Sequence, residues 1–385
     1  MKICNAKVYQ NGKFSRGDIS IRGERFASVE RTETVSVPEK TGDNEEMTID
    51  ALGLLAIPGL VDIHFHGCVG YDMCDGTEEA IQAMADYQQS VGVLAICPAT
   101  MTYPEEKLTV IAEAAAAHVN GKGADLVGLH MEGPFISPNK VGAQNPAYVQ
   151  CPDAEMFIRL QKKAGGLFKQ CDVAPEEPGA LEFIAAIKET VPSISIAHTT
   201  TDYDTAMAAF NAGANHLTHC YNAMPGINHR NPGPIIAAAD AGADAELICD
   251  NVHIHPAVVR STFKLFGDDH VVLISDSMMA CGLPDGQYSL GGQAVTVKGR
   301  LAVLTEQEGT IAGSASNLMD CMRRAVKEMD IPLESAVKAA SHNPARCIGI
   351  DDDYGDIEAG KYANVLLLDE DLNLVHVVQR GVLIF

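Results

Sequence analysis

Six ionisable side chains close apolar runs in this sequence. They are His64 and His66 in Asp62-Ile-His-Phe-His-Gly67, Glu132 after Leu129-His-Met, His198 after Ile194-Ser-Ile-Ala, His219 after Leu217-Thr, and Asp276 after Val271-Val-Leu-Ile-Ser. Imidazole nitrogens and carboxylate oxygens are ligands for a divalent first-row ion, zinc foremost. Residues i and i+2 of a strand project to one face, so His64 and His66 could reach one ion. That spacing alone is weak, because His253-Ile-His255 repeats it. Adding Glu132, His198 and His219 points to metal, since a buried carboxylate or imidazole without a partner is costly. A carboxylate beside such an ion can take a proton from water and later deliver it to a leaving amine, the role read for Asp276. Asp62 and Asp250 read as structural carboxylates.

Short apolar runs alternate with Ala-rich segments, the pattern of repeated βα units around a parallel sheet. The runs are Leu55–His64, Gly92–Thr100, Asp125–Glu132, Phe168–Pro175, Ser193–Thr199, Asn215–His219, Glu246–Asp250 and His270–Asp276. Helical segments include Glu78–Val91, Pro104–Val119, Ala180–Val191, Thr205–Gly213, His255–Leu265 and Ser316–Met329. Eight such units predict an α/β protein of the (β/α)8 TIM-type barrel class, whose sites lie at the C-terminal ends of strands, where the six residues fall. Short strands with Gly and Asn turns at both ends predict a small β-sandwich domain from residues 1–56 plus 355–385. The barrel then spans 57–354, with a β-hairpin insertion near 283–304 placed to lie over the mouth.

A chain of 385 residues with 46% hydrophobic and 21% charged residues has ample material for a globular core. Its formal net charge of −23 disfavours nucleic acid and anionic membranes as partners, though one Arg and a few backbone N–H groups can still hold a small phosphate. Eleven Cys without a C-x-x-C pair fit buried thiols in a reducing compartment, so a cytoplasmic location is expected. No signal-like apolar segment or membrane-length run is seen.

With these residues in hand, the chain resembles the amidohydrolases and, within them, the N-acetylglucosamine-6-phosphate deacetylases. The resemblance rests on Pro58-Gly-Leu-Val-Asp-Ile-His-Phe-His-Gly67, Leu129-His-Met-Glu-Gly-Pro-Phe-Ile-Ser137 and Lys140-Val-Gly-Ala-Gln144. It continues in Thr218-His-Cys-Tyr-Asn-Ala-Met224, Arg230-Asn-Pro-Gly233, Asp250-Asn-Val-His-Ile-His-Pro256, Ser275-Asp276 and Gly309-Thr-Ile-Ala-Gly-Ser314. It implies one or two divalent ions per chain: Zn foremost, with Fe, Mn, Co or Ni as alternatives. Glu132, His198 and His219 are implied as principal ligands, with His64 and His66 holding a second ion. It implies substrate contacts at Ala143, Asn222, Ala223, His229, Arg230, His253, Ile311, Ala312 and Gly313. Arg230 would anchor a phosphate, and His253 would steady the oxyanion beside the catalytic Asp276. The implied substrate is a phosphorylated amino sugar, and the implied assembly a homodimer. Ala197 and Cys220, flanking two ligands, depart from the family's habit but stay small. Two rival readings remain: a related amidohydrolase acting on another N-acyl sugar phosphate or an N-acyl amino acid, and a catalytically silent barrel that binds without reacting. No Lys stands at the strand ends to form the carboxylated bridge used by several relatives, which favours the sugar deacetylase.

Overall fold

The computed structural model describes residues 1–35, 47–307 and 309–385. The two termini do share one β layer. Its strands run Val382–Leu383, Leu374–Gln379, Val365–Leu368, Leu55–Pro58, Lys2–Gln10, Lys13–Arg22 and Arg25–Arg31, with Thr48–Asp50 alongside Lys2–Gln10. In place of a two-layer sandwich there is one continuous eight-stranded sheet curled on itself. Its Arg25–Arg31 margin meets the segment that leads into Val365–Leu368, where Phe26 N–H donates to Lys361 O at 3.1 Å and Ala363 N–H donates to Glu24 O at 2.8 Å. The curl encloses a small core in which Ile3, Val8, Ile19 and Phe26 pack with Val365 and Leu367.

The run read as a single strand over Leu55–His64 is two strands with different partners. Leu55–Pro58 pairs with the terminal strands Lys2–Gln10 and Val365–Leu368, whereas Leu60–Asp62 pairs in parallel with Val93–Ile96. Gly59 makes the hand-over: a Cβ there would stand 2.6 Å from Leu94 Cδ1 and 2.9 Å from Leu94 Cβ, so the residue between the layers has room for no side chain.

The parallel strands form two curled arcs. One runs Asp125–Leu126, Val93–Ile96, Leu60–Asp62, and the other Leu129–Met131, Phe168–Val173, Ser193–Ile196, His216–Leu217, Asp244–Ile248, Val271–Ile274. A parallel bridge between Ala99 and His130 joins them at one seam. At the other, Asp276 N–H donates to His64 O at 2.9 Å and His66 N–H to Ser277 O at 2.7 Å. Asp62, read as structural, ties this seam from inside by accepting the Ser275 hydroxyl at 2.5 Å.

Helices cover the outside, several begun by a side-chain cap: Thr77 before Glu78–Ser90, Asp202 before Tyr203–Ala212 and Asn317 before Leu318–Lys327. Leu318–Lys327 buries Leu318, Met319, Cys321, Met322 and Ala325, the i, i+3, i+4 stripe that docks a helix on a core. Ala154–Lys163, Gly233–Ala241, Leu333–Ala340 and His342–Cys347 are further helices that the sequence reading did not name. The insertion is a three-stranded antiparallel sheet, Gly286–Leu290, Gln293–Lys298 and Leu301–Leu304. Ten of the eleven Cys are buried and all are unbridged. No helix among the described residues is long and apolar enough to cross a membrane.

Candidate active site

Each of the six ionisable residues lies one to four positions past the end of its strand, where the chain turns over the rim. The turns are sharp: His198 has φ 42°, His219 φ 28° and Asp276 φ 46°, all in the left-handed region that L-residues occupy sparingly. Such conformations persist where surrounding structure over-determines them, and three at one rim mark a built site. His64 and His66 follow Leu60–Asp62 as irregular backbone, not as strand, yet both rings reach the same centre, 5.5 Å apart between centroids.

Glu132 Oε1 lies 3.0 Å from His198 Nε2 and 3.1 Å from His219 Nε2, and the two imidazole nitrogens are 3.1 Å apart. His198 Nδ1 donates to Lys140 O at 2.9 Å, which leaves its Nε2 lone pair facing Glu132 and His219. Three donors bound tetrahedrally to zinc at about 2.0–2.2 Å sit roughly 3.3–3.5 Å from one another, so this triangle has nearly the required size. A second group shares the carboxylate: His66 Nε2 is 3.3 Å from Glu132 Oε2, and His64 Nε2 is 3.8 Å from Glu132 Oε1. His64 Nε2 is buried with no hydrogen-bond partner among the described residues. An orphaned ring nitrogen beside a carboxylate and neighbouring imidazoles is what an ion would satisfy. Both groups are among those whose ligand atoms lie within 4.8 Å of one another. The donor set therefore fits a divalent metal.

Asp276 stands against the second group, with Oδ1 3.4 Å from His66 Nε2 and 3.8 Å from His64 Nε2. Burial alone would raise its carboxyl, but hydrogen bonding to His66 and the charges of His64, His66 and His219 hold it below the usual range. Glu132 behaves likewise: burial opposes its charge, and His66, His198 and His219 bring it well below the ordinary value. The imidazoles respond in kind. Burial would lower His64, yet Glu246, Asp276 and Glu132 lift it to about 10, and His219 rises to about 9 through Glu132 and Asp276. Without a metal these rings hold the protons that an ion would replace.

Above this floor lies a cavity of ≈ 270 Å³, walled by Ala143, Asn222, Ala223, His253, Ile311 and Gly313 among others. These are six of the nine predicted contacts. Ala312 is fully buried behind the wall, its N–H donating to Ala302 O. His229 and Arg230 sit on an exposed loop and are not among the lining residues; the Arg230 backbone N–H donates to Asn228 Oδ1 at 3.0 Å. Among the described residues, no Lys or Arg lines the cavity.

Sequence reasoning missed three contributors. Asp250 accepts His253 Nδ1 at 2.8 Å and the backbone N–H groups of Val252 and His253, so it aims the ring and leaves Nε2 for the pocket. Gln144 donates to Glu132 Oε2 at 2.5 Å while accepting Thr102 N–H at 2.7 Å. Glu246, fully buried, contacts His64 and the backbone of His219. Asp250 had a signal: it follows an apolar run, as the other site residues do.

The chain belongs to the amidohydrolase family, whose sequence model matches residues 55–384. Within it, the full length is similar to enzymes acting on phosphorylated N-acetyl sugars. It is 34% identical to the N-acetylglucosamine-6-phosphate deacetylase of Bacillus subtilis, over 99% of this chain and 96% of that one. To the N-acetylgalactosamine-6-phosphate deacetylase of Escherichia coli O157:H7 it is 32% identical, over 85% and 87%. Among solved structures, the N-acetyl-D-glucosamine-6-phosphate deacetylase of Mycobacterium smegmatis, in complex with N-acetyl-D-glucosamine-6-phosphate, superposes with a TM-score of 0.90. It shares 29% identity and covers 100% of this chain and 98% of that one.

Proposed function

We propose that this protein hydrolyses the acetamide of N-acetyl-D-glucosamine 6-phosphate, giving D-glucosamine 6-phosphate and acetate in amino-sugar breakdown or recycling. The observation that carries it is Asp276 set against His66 and His64, beside the Glu132–His198–His219 triangle, at the floor of the cavity. Glu132, His198 and His219 would hold a divalent ion, and His64 and His66 a second across Glu132. Zinc is the expected ion, with Fe, Mn, Co or Ni as alternatives. Such ions supply Lewis acidity toward an amide carbonyl and make water a nucleophile at neutral pH.

The chain's own groups do the rest. Asp276 accepts a proton as water adds to the acetyl carbon, then returns it to the glucosamine nitrogen as the C–N bond breaks. His253 Nε2 faces the pocket, placed for the carbonyl oxygen, because Asp250 occupies Nδ1. Asn222 and Ala223 hold the sugar side, and Ala143, Ile311 and Gly313 close on it. Ala312 backs that wall. Arg230, with His229 beside it, is the phosphate anchor, reaching from the loop that follows Ala223. In the same reading Asp125–Leu126 and Leu129–Met131 are two parts of one strand, so the two arcs make one eight-stranded (β/α)8 barrel, with Gly59 instead of residue 56 as the boundary with the terminal β domain. The enzyme works as a homodimer in the cytoplasm.

An acetate-release assay on phosphorylated and unphosphorylated N-acetylglucosamine, with the galactosamine epimer as a third arm, tests the substrate. Arg230→Ala is expected to lower kcat/KM for the phosphorylated sugar about 10- to 100-fold and to spare the unphosphorylated one. A mutant that keeps the full preference for phosphate removes Arg230 from the anchor role.

A further inference from the structure

Beneath the rim, the strand Asp244–Ile248 turns one acid into the closed interior: Glu246 is fully buried. A carboxylate so placed is tolerated only with every lone pair engaged. Its four contacts divide cleanly between its two oxygens. Oε1 receives Gln170 Nε2 at 2.7 Å, from the strand Phe168–Val173, and lies 3.1 Å from His216 Nε2, on the adjacent strand His216–Leu217. Oε2 lies 2.9 Å from His64 Nδ1 and receives His219 backbone N–H at 3.0 Å.

We propose that Glu246 is the positioning residue that sets both metal positions at once, one oxygen fixed to the scaffold and the other holding one ligand of each group. Through His64 Nδ1 it fixes the tautomer, so that the Nε2 lone pair points at Glu132. By way of the His219 N–H it clamps the left-handed turn, φ 28°, that swings the His219 ring toward Glu132 and His198. Glu132 bridges the two groups from above and Glu246 joins them from below, so the geometry of one position depends on the other. This inference rests on the metal reading above.

The test compares Glu246→Met, which keeps the length and removes both acceptors, with Asp172→Leu. Asp172 is an equally buried carboxylate of the same interior, bonded to His130 at 2.8 Å and to Thr218 at 2.8 Å. Metal-stripped proteins are titrated with Zn²⁺, stoichiometry is read by elemental analysis after dialysis, and Co²⁺ absorption reports ligand geometry. The expected result is a drop in Glu246→Met from two bound ions to one or none, about 10- to 100-fold weaker retention and an altered Co²⁺ spectrum, with Asp172→Leu matching the wild type. Two ions held by Glu246→Met with wild-type affinity overturn the proposal, as does equal loss in both variants. If Glu246→Met does not fold, Glu246→Gln decides: its amide keeps one acceptor but no charge, so about tenfold weaker retention supports the proposal and unchanged affinity overturns it. A wild-type protein that binds no ion defeats the metal reading itself, a separate result.

Discussion

At the N-terminal ends of the parallel strands, Asp125 receives Arg380 Nε and the Tyr354 hydroxyl, each at 3.0 Å, and Asp244 receives Arg346 at 2.7 Å and the Cys347 thiol at 3.0 Å. At the C-terminal ends, Glu132 and Asp276 face imidazoles and one amide, with no guanidinium or ammonium in the pocket wall among the described residues. Both rims carry buried acids in the same scaffold. One rim neutralises them with the protein's permanent cations, whereas the other leaves them beside groups that can exchange a proton for an ion. Paired charge at one end serves folding, and exchangeable charge at the other serves chemistry.

The sharpest way to break this contrast is Asp276→Asn. It should leave metal content intact while lowering turnover about 100- to 10,000-fold, read by elemental analysis beside an acetate assay. Full activity would remove Asp276 from the proton path.

Next in size is the response to pH. His64 and His219, at about 10 and 9 against an ordinary 6.5, bind protons more tightly folded than unfolded. In the metal-free protein their contribution is fully present below 6.5 and is lost as pH climbs through 9 to 10. Calorimetry should therefore show the metal-free Tm falling between those values while the loaded protein, whose ligands carry no such protons, holds. Loading near neutrality should also release protons into a weak buffer. Identical pH slopes for the two forms would mean that the rim does not trade protons for metal.

At the opposite rim, Arg380→Met leaves Asp125, almost fully buried, with only Tyr354 among the described residues. A loss of about 2–4 kcal/mol in stability is expected, with metal content unchanged. Loss of metal without loss of stability would erase the distinction between the two ends.

Much of the rim was legible because ionisable residues interrupt apolar runs there, and the interruption marks both where a strand stops and where chemistry starts. The floor was less so. Glu246 sits inside a strand whose sequence, Asp-Ala-Glu-Leu-Ile, places residues 244, 246 and 248 on one face. Reading that strand as starting at Glu246 put the acid at an end, where a carboxylate draws no notice. Its partners, on three other strands or the turns beyond them, are set by barrel-like curl, which no local pattern encodes. Gly59 shows the same limit, since Pro-Gly-Leu reads as continuous until Leu94 is known to press on its Cα. Arg230 carries the opposite lesson: a motif names a residue without its reach, and loop placement depends on contacts outside the motif.

The three-stranded excursion between the last parallel strand and Leu318–Lys327 supplies Leu290 to the cavity wall, and Gln293 Nε2 donates to Ala143 O at 2.5 Å. Ala143 is the immediate neighbour of Gln144, which grips Glu132. That flank of the cavity is thus mechanically linked, across one peptide bond, to the acid between the two candidate metal positions. Residue changes in the excursion can re-cut substrate preference without touching a strand, but any that drag Ala143 will be felt by the carboxylate too.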